Sequence, residues 1–378
     1  MPASKITKKL GSLLCMALVF IPGLVFADYK LNMPQSVTSV GKDIYDLHML
    51  VLWISTIVGI GVFGVIIYSL INHRKSKGVT PATFHESATV EFVWTVIPFI
   101  ILVVIAVPAT KTLLKIEDTS NPDLTIKVTG WQWKWEYEYL DNGVHFFSNL
   151  DKASNDARQL GATTDPRGVA NYLLDVDNPI VVPVNKKVRI LTTANDVIHA
   201  WWVPDLAIKR DAIPGFINES WFKAEKTGVY RGQCAELCGK DHGFMPIVVK
   251  VVSDSDYAAW VSRQKSAAAA AAASAGKTWS KADLIKRGEE VYNASCAACH
   301  QANGQGIPGV FPAIAGSKIA IGPVGAHIDI VVNGKPGTAM QAFGAQLSPA
   351  DTAAVVTFQR NAFGNNTGDV VQPSQISR

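Results

Sequence analysis

The chain has 378 residues, of which 48% are hydrophobic and 17% charged, with a formal net charge of +4. That length allows about two or three domains, and the low charge leans toward a membrane protein. Lys5, Lys8 and Lys9 supply most of the excess positive charge from one N-terminal leader, so no basic surface of the kind that recognises nucleic acid is implied.

Residues 1–27 have the pattern of a secretory signal: a basic start, an apolar run from Leu10 to Phe26, and Val25-Phe26-Ala27 as the cleavage site. A short polar arm follows. Residues 28–114 are then expected to form this arm and a transmembrane helical hairpin, with spans at about 48–71 and 92–112. The loop between the spans carries His73, Arg74, Lys75 and Lys77, which assigns it to the cytoplasmic side and everything after the second span to the outer side. Glu91 stands at the cytoplasmic edge of that span, where it is either an interfacial charge facing headgroups or a proton entry point in a larger complex.

Residues 115–252 are rich in short β-branched runs, at Leu124–Thr129, Lys187–Thr193 and Ile247–Val252. Trp131, Trp133, Trp135, Tyr137 and Tyr139 alternate with polar residues at period 2, predicting one strand with an aromatic core face. Five large rings exceed what a small barrel interior holds, so at least one belongs on the surface. A Greek-key barrel or sandwich fits this pattern.

The cysteines carry more information. Cys15 lies in the leader, while Cys234/Cys238 and Cys296/Cys299 are close pairs, each followed by a histidine. This is cofactor spacing rather than a disulfide framework. The stretch Gln233–Pro246 contains Cys234, Cys238, His242 and Met245, the soft donor set that suits copper. Two thiolates suggest two shared coppers, and His199, in Val197–Pro204, is the candidate for the second imidazole. A structural zinc site or a Cys234–Cys238 disulfide is the competing reading. Gly239, Gly243 and Pro246 favour a loop over a helix here.

Residues 253–280 are expected to be a linker, marked by the alanine run Ala267–Ala273, which offers no apolar face to pack. Ser280-Lys281-Ala282-Asp283 then opens a helix with a capping sequence. Cys296-Ala297-Ala298-Cys299-His300 follows. This C-x-x-C-H pattern is that of covalent haem c attachment, in which both thiols bond the haem and the histidine ligates iron. Met340 is the only methionine after His300 and the expected sixth iron ligand, with His327 as its rival. Ser348 and Pro349 start a last helix. The all-α cytochrome domain is expected over 281–364, with a tail at 365–378.

These motifs resemble subunit II of cytochrome c oxidase, of the haem–copper oxidase superfamily, over residues 40–252. The resemblance rests on Glu91–Pro98, Gly130-Trp131-Gln132-Trp133, His199–Pro204, Asp211–Gly215 and Cys234–Pro246. The appended domain resembles class I cytochrome c, and the whole is similar to the bacterial branch in which subunit II carries a fused haem c. The resemblance implies a cupredoxin-like barrel with a binuclear copper A centre. Cys234 and Cys238 would bridge the coppers, His199 and His242 would ligate one each, and Met245 and the Glu236 carbonyl would be weak ligands. The Glu236 side chain would reach a magnesium site shared with subunit I, Trp133 would be the point of electron entry, and Glu91 the mouth of a proton path. It further implies a bacterial inner-membrane location with both cofactor domains on the periplasmic side. The implied partners are lipid, subunit I, other oxidase subunits, and a cytochrome c or membrane cytochrome as donor.

Oxygen reduction and proton pumping would then occur in subunit I, and this chain would be the intake and relay. A free-standing haem/copper carrier or copper-delivery protein is the alternative. Eight histidines are too few for the His-rich catalytic domain of nitrous oxide reductase, and the intact Cys/His/Met set argues against a metal-free scaffold of quinol-oxidase type.

Overall fold

The computed structural model describes residues 32–159, 162–274 and 276–376. The signal segment expected at 1–27 lies outside the described residues. Among those described, two helices are long and apolar enough to cross a membrane, α1 (Ser39–Asn72) and α2 (Ala88–Glu117). At 1.5 Å per residue each exceeds the roughly 30 Å hydrocarbon thickness. Their side chains are exposed along most of their length, as lipid- or partner-facing helices require. At the hairpin's open end Lys115 Nζ, near the end of α2, lies 2.6 Å from Asp43 Oδ2, near the start of α1.

The β region forms two five-stranded sheets. Its strands are β1 (Leu124–Trp131), β2 (Lys134–Tyr139), β3 (Val144–Ser148), β4 (Ile180–Pro183), β5 (Val188–Ala194), β6 (His199–Val203), β7 (Ile208–Ala212), β8 (Asn218–Phe222), β9 (Gly228–Cys234) and β10 (Pro246–Val252). The sheet orders are β3-β2-β1-β5-β8 and β4-β10-β9-β6-β7. Only β1–β5 and β4–β10 pair in parallel; the rest are antiparallel. Core residues such as Ile126, Val128, Ile190, Trp201, Ile247 and Val249 alternate with outward-facing positions and are fully buried between the sheets. Burying each of these stabilises the fold by about 1.5–3 kcal/mol.

The aromatic row does not form one strand. Trp131 pairs with Lys134 across the β1–β2 hairpin, so Gln132 and Trp133 are its two-residue turn. Trp135, Tyr137 and Tyr139 are buried, while Trp131 and Trp133 are only partly covered. The turn swaps the faces: Trp131 shares one with Thr129, Lys134 and Glu136, and Trp135, Tyr137 and Tyr139 lie on the other, a reversal that the unbroken period-2 spacing of the sequence does not show.

The β domain rests on the end of the hairpin. Trp221 Nε1, on β8, donates to Lys115 O at 3.2 Å and Ile116 O at 3.0 Å, and Val37 N donates to Asp205 O at 3.0 Å. Between β3 and β4 a short helix, α3 (Lys152–Ala157), is capped by Asp151, whose carboxylate accepts from Ala153 N and Ser154 N.

The expected linker is largely ordered: α4 runs from Asp254 to Ser274. Its first turns carry Tyr257, Trp260 and Val261 at i, i+3 and i+4, and these pack on the barrel core. Trp260 lies 5.1 Å from Tyr139, ring to ring. The alanine run continues this helix into solvent, where alanine's high helix propensity suffices.

The C-terminal domain is helical: α5 (Lys281–Ser295), α6 (Ala297–His300), α7 (Val324–Asn333) and α8 (Pro349–Asn361). Ser280 and Ser348 cap α5 and α8, each accepting from the backbone N–H three residues on. The two helices cross at Gly288, where a Cβ would fall 2.1 Å from Ala354 O, so the crossing needs glycine. Residues 365–376 pack back on this core through Val371 and Ile376 and are part of the domain rather than a loose tail.

Candidate metal centre

His199 begins β6, and Cys234 ends β9, the strand beside it, with Trp201 opposite Cys234 in the register. The chain then loops out and returns at Met245 into β10, which pairs with β9. Strand pairing thus brings together donors from separate segments. Cys234 Sγ lies 3.8 Å from Cys238 Sγ and 3.9 Å from His199 Nδ1. Cys238 Sγ lies 3.4 Å from His242 Nδ1 and 3.6 Å from Met245 Sδ. The Glu236 carbonyl is 3.3 Å from Cys234 Sγ, and the Glu236 side chain is exposed. Cys234, Cys238, Met245 and His199 are buried.

The thiols are free and act on one another. The hydrogen bond from Cys238 favours the Cys234 thiolate, holding Cys234 well below the usual thiol range, and the same bond together with burial pushes Cys238 up. Burial opposes a charge on His199, but its hydrogen bonds to Asp196 and Cys234 outweigh this and raise its pKa. Two sulfurs side by side, each with an imidazole nitrogen within 4 Å, form a near-symmetric donor set for two soft metal ions. A closed zinc site would leave the Met245 thioether without a task.

Three supporting features escape a reading of the sequence. Asp196 Oδ1 lies 2.9 Å from His199 Nε2, turning Nδ1 toward the thiols as outer carboxylates do for metal-binding histidines. A Cβ on Gly130 would fall 2.6 Å from the His199 ring, so only glycine lets that ring seat. Trp135 Nε1 donates to Met245 O at 3.2 Å. The Asp-x-x-His spacing was the one available signal, and it is too common to act on.

In the helical domain Cys296, Cys299, His300 and Met340 line one cavity of about 490 Å³. His300 Nδ1 donates to Pro312 O at 2.8 Å, which leaves Nε2 as the nitrogen available to iron. Met340 comes from the loop after α7, whose Lys335 N donates to Met340 O at 2.9 Å. His327 lines the same cavity, but its Nε2 is 2.8 Å from Gln359 Oε1, and burial pushes its pKa down to about 4. The cavity's size, its two thiols and its His/Met pair fit a covalent haem.

The two sites adjoin. Trp133 Nε1 and Gln132 Nε2 donate to Cys238 O at 3.1 and 2.8 Å, and both residues also line the haem-sized cavity. Trp133 therefore bridges the sites instead of facing open solvent. Lys240 Nζ donates to Ala298 O, inside the C-x-x-C-H motif, at 2.8 Å. Lys134 is buried beneath the helical domain, hydrogen-bonded to Gln346 and 4.9 Å from the Phe343 ring centroid. Glu91 lies apart, exposed in the first turn of α2, with Oε1 accepting from Ser87 N at 3.3 Å.

Comparison with known families agrees with this division. Residues 27–112 match the transmembrane domain and residues 124–252 the periplasmic domain of cytochrome c oxidase subunit II, and residues 282–358 match the subunit III cytochrome of cbb3-type cytochrome c oxidase. A probable cytochrome c oxidase subunit 2 of Rickettsia bellii is 40% identical over 259 residues, covering 67% of this chain and 93% of the relative. The cytochrome c oxidase subunit 2 of Cereibacter sphaeroides is 36% identical over 238 residues, covering 61% and 78%. The crystal structure of the periplasmic domain of subunit II of the Bradyrhizobium japonicum cytochrome oxidase is 49% identical, spanning 39% of this chain and 97% of that one, with a TM-score of 0.34. The first of these domains implies a membrane anchor, the second copper A and the third haem c, and the chain belongs to the cytochrome c oxidase subunit II family, here with a cytochrome c domain fused at its C-terminus.

Proposed function

We propose that this chain is the electron intake of a respiratory haem–copper oxidase. It accepts electrons from a cytochrome c or membrane cytochrome and passes them on to subunit I, where oxygen is reduced and protons are pumped. His199, Cys234, Cys238, His242, Met245 and the Glu236 carbonyl would hold copper, and Cys296, Cys299, His300 and Met340 would hold a covalent haem c; each group would supply a one-electron carrier when bound. The chain's own residues do the rest. Cys234 and Cys238, both free and 3.8 Å apart, would each offer a thiolate to the metal, so that one electron's charge would be spread over both sulfurs. Asp196 and Gly130 hold the His199 ring in place, and burial excludes water from the sulfurs. Trp133 is the aromatic between the sites.

The observation that carries this reading is the contact between them: Trp133 donates to Cys238 O at 3.1 Å while lining the cavity of Cys296 and His300. The exposed Glu236 carboxylate is free to share a magnesium ion with subunit I, and Glu91 marks the start of a proton path there. The location is the bacterial inner membrane, with both cofactor domains on the periplasmic side.

Mild purification of the full chain from its native membranes tests this. The expected result is co-purification with a many-span haem protein that reduces oxygen. Recovery of the chain alone, with both cofactors, would instead favour a free-standing carrier.

A further inference from the structure

The segment 149–168 matches none of the metal or haem motifs, yet its described residues reach both sites. Arg158 follows α3 and its side chain is only 13% exposed. Its Nη2 lies 3.2 Å from Asp241 Oδ2, and its guanidinium stacks 4.3 Å above the Phe244 ring centroid. Asp241 and Phe244 flank His242, and Met245 comes next. The turn they form is tight, with Phe244 N donating to Asp241 O at 2.9 Å and His242 N to Gly239 O at 3.2 Å. One side chain therefore grips this turn at both ends, by charge at Asp241 and by stacking at Phe244.

The same arginine is held in turn. Its Nε donates to Asn155 Oδ1 at 2.9 Å, and Asn155 Nδ2 donates to Asn293 O at 3.3 Å. Asn293 is on α5, three residues before Cys296. The base of this strut is fixed by the Asp151 cap and by Leu173 N, which donates to the buried Ser154 Oγ at 3.1 Å. Asp241 is 2% exposed and has a second cation, Lys240, whose Nζ is 3.9 Å away and is shared with Ala298 O.

We propose that Arg158 is a positioning residue for the metal loop, and that through Asn155 it sets that loop against the haem-bearing helix. This rests on the reading that His242 and Met245 hold copper. The guanidinium is suited to the task because it can pair in plane and stack at the same time, which an ammonium cannot. Removing it leaves a buried carboxylate beside a metal ligand without its nearest partner.

The test compares Arg158→Ala, Arg158→Lys and Asn155→Ala in the full chain loaded with copper and haem. Arg158→Ala should change the copper electron spin resonance and visible spectra and weaken copper retention against a chelator by roughly 10- to 100-fold. Arg158→Lys should recover part of the retention, through Asp241, but not the native spectrum. Asn155→Ala should leave the copper spectrum native while hydrogen exchange quickens at Asn293–His300. If Arg158→Ala does not fold, Phe244→Leu, which removes only the stack, should show the same spectral change at smaller size. Native copper spectra and retention in both Arg158→Ala and Phe244→Leu would overturn the proposal while leaving the copper reading intact. An unsubstituted chain that binds no copper would overturn the reading beneath it.

Discussion

The two candidate sites of this chain are built in opposite ways. The metal centre is already assembled: each of its sulfur and nitrogen donors lies within 4 Å of a neighbouring donor and three of them are held by strand pairing and outer hydrogen bonds. The haem site is a cavity of about 490 Å³ whose donors come from different elements around an open volume. A small ion fits between side chains that the barrel has positioned for its own reasons. Haem, in contrast, would fill a volume that the helical domain's own side chains leave open. The copper domain should therefore fold first and alone, and the cytochrome domain only with its cofactor.

Removing the haem should give the largest effect. Without haem the apolar side chains around this cavity lose the surface they would pack against, and water enters among them, a loss that is large beside the marginal stability of a domain. The haem-free Cys296→Ser/Cys299→Ser chain should lose cooperative unfolding and protease resistance over residues 281–376 while the β domain keeps both. Equal protection of both domains would break the contrast.

Lys134 belongs to the β domain but is covered by the helical one, and burial pushes its pKa down to about 8. The folded state then holds fewer protons than the unfolded state between that value and the ordinary lysine value. Stability should rise with pH across this window, by about 3 kcal/mol in all, with the full cost of the buried ammonium present below it. Urea titrations at pH 7 and pH 10 should show this rise in the native chain and not in Lys134→Met. Parallel behaviour of the two chains would mean that the docked face opens to water.

Asp196→Asn should have the smallest and most local effect. The loss of the carboxylate behind His199 should weaken copper retention about 10- to 100-fold and leave the haem spectrum unchanged, as chelator competition followed by absorbance would show. A changed haem spectrum would mean that the two sites are coupled through more than contact.

What could be read from the sequence divides along the same line. Cys234, Cys238, His242 and Met245 fall within twelve residues, and Cys296, Cys299 and His300 within five, so local chemistry announces both sites. The supporting residues do not announce themselves. Asp196 matters only because the β5–β6 connection turns it back on His199, and Gly130 only because two strands bring it under that ring. Arg158 acts across 83 residues, at a distance no spacing rule covers. That one of the five rings leaves the core was legible, but which one was not, nor the turn at Gln132 and Trp133, since the sequence keeps its period-2 spacing while the faces swap. In the linker, the alanine run gives no packing signal, and the short stripe of Tyr257, Trp260 and Val261 just before it carries the contacts.

The central claim is that one chain holds a paired copper site beside its own haem. Metal analysis and electron spin resonance on the purified full chain test it most directly. The account predicts two coppers per covalent haem, with one unpaired electron shared equally by both coppers in the oxidised form. One copper with an unshared electron, or zinc in place of copper, would contradict it.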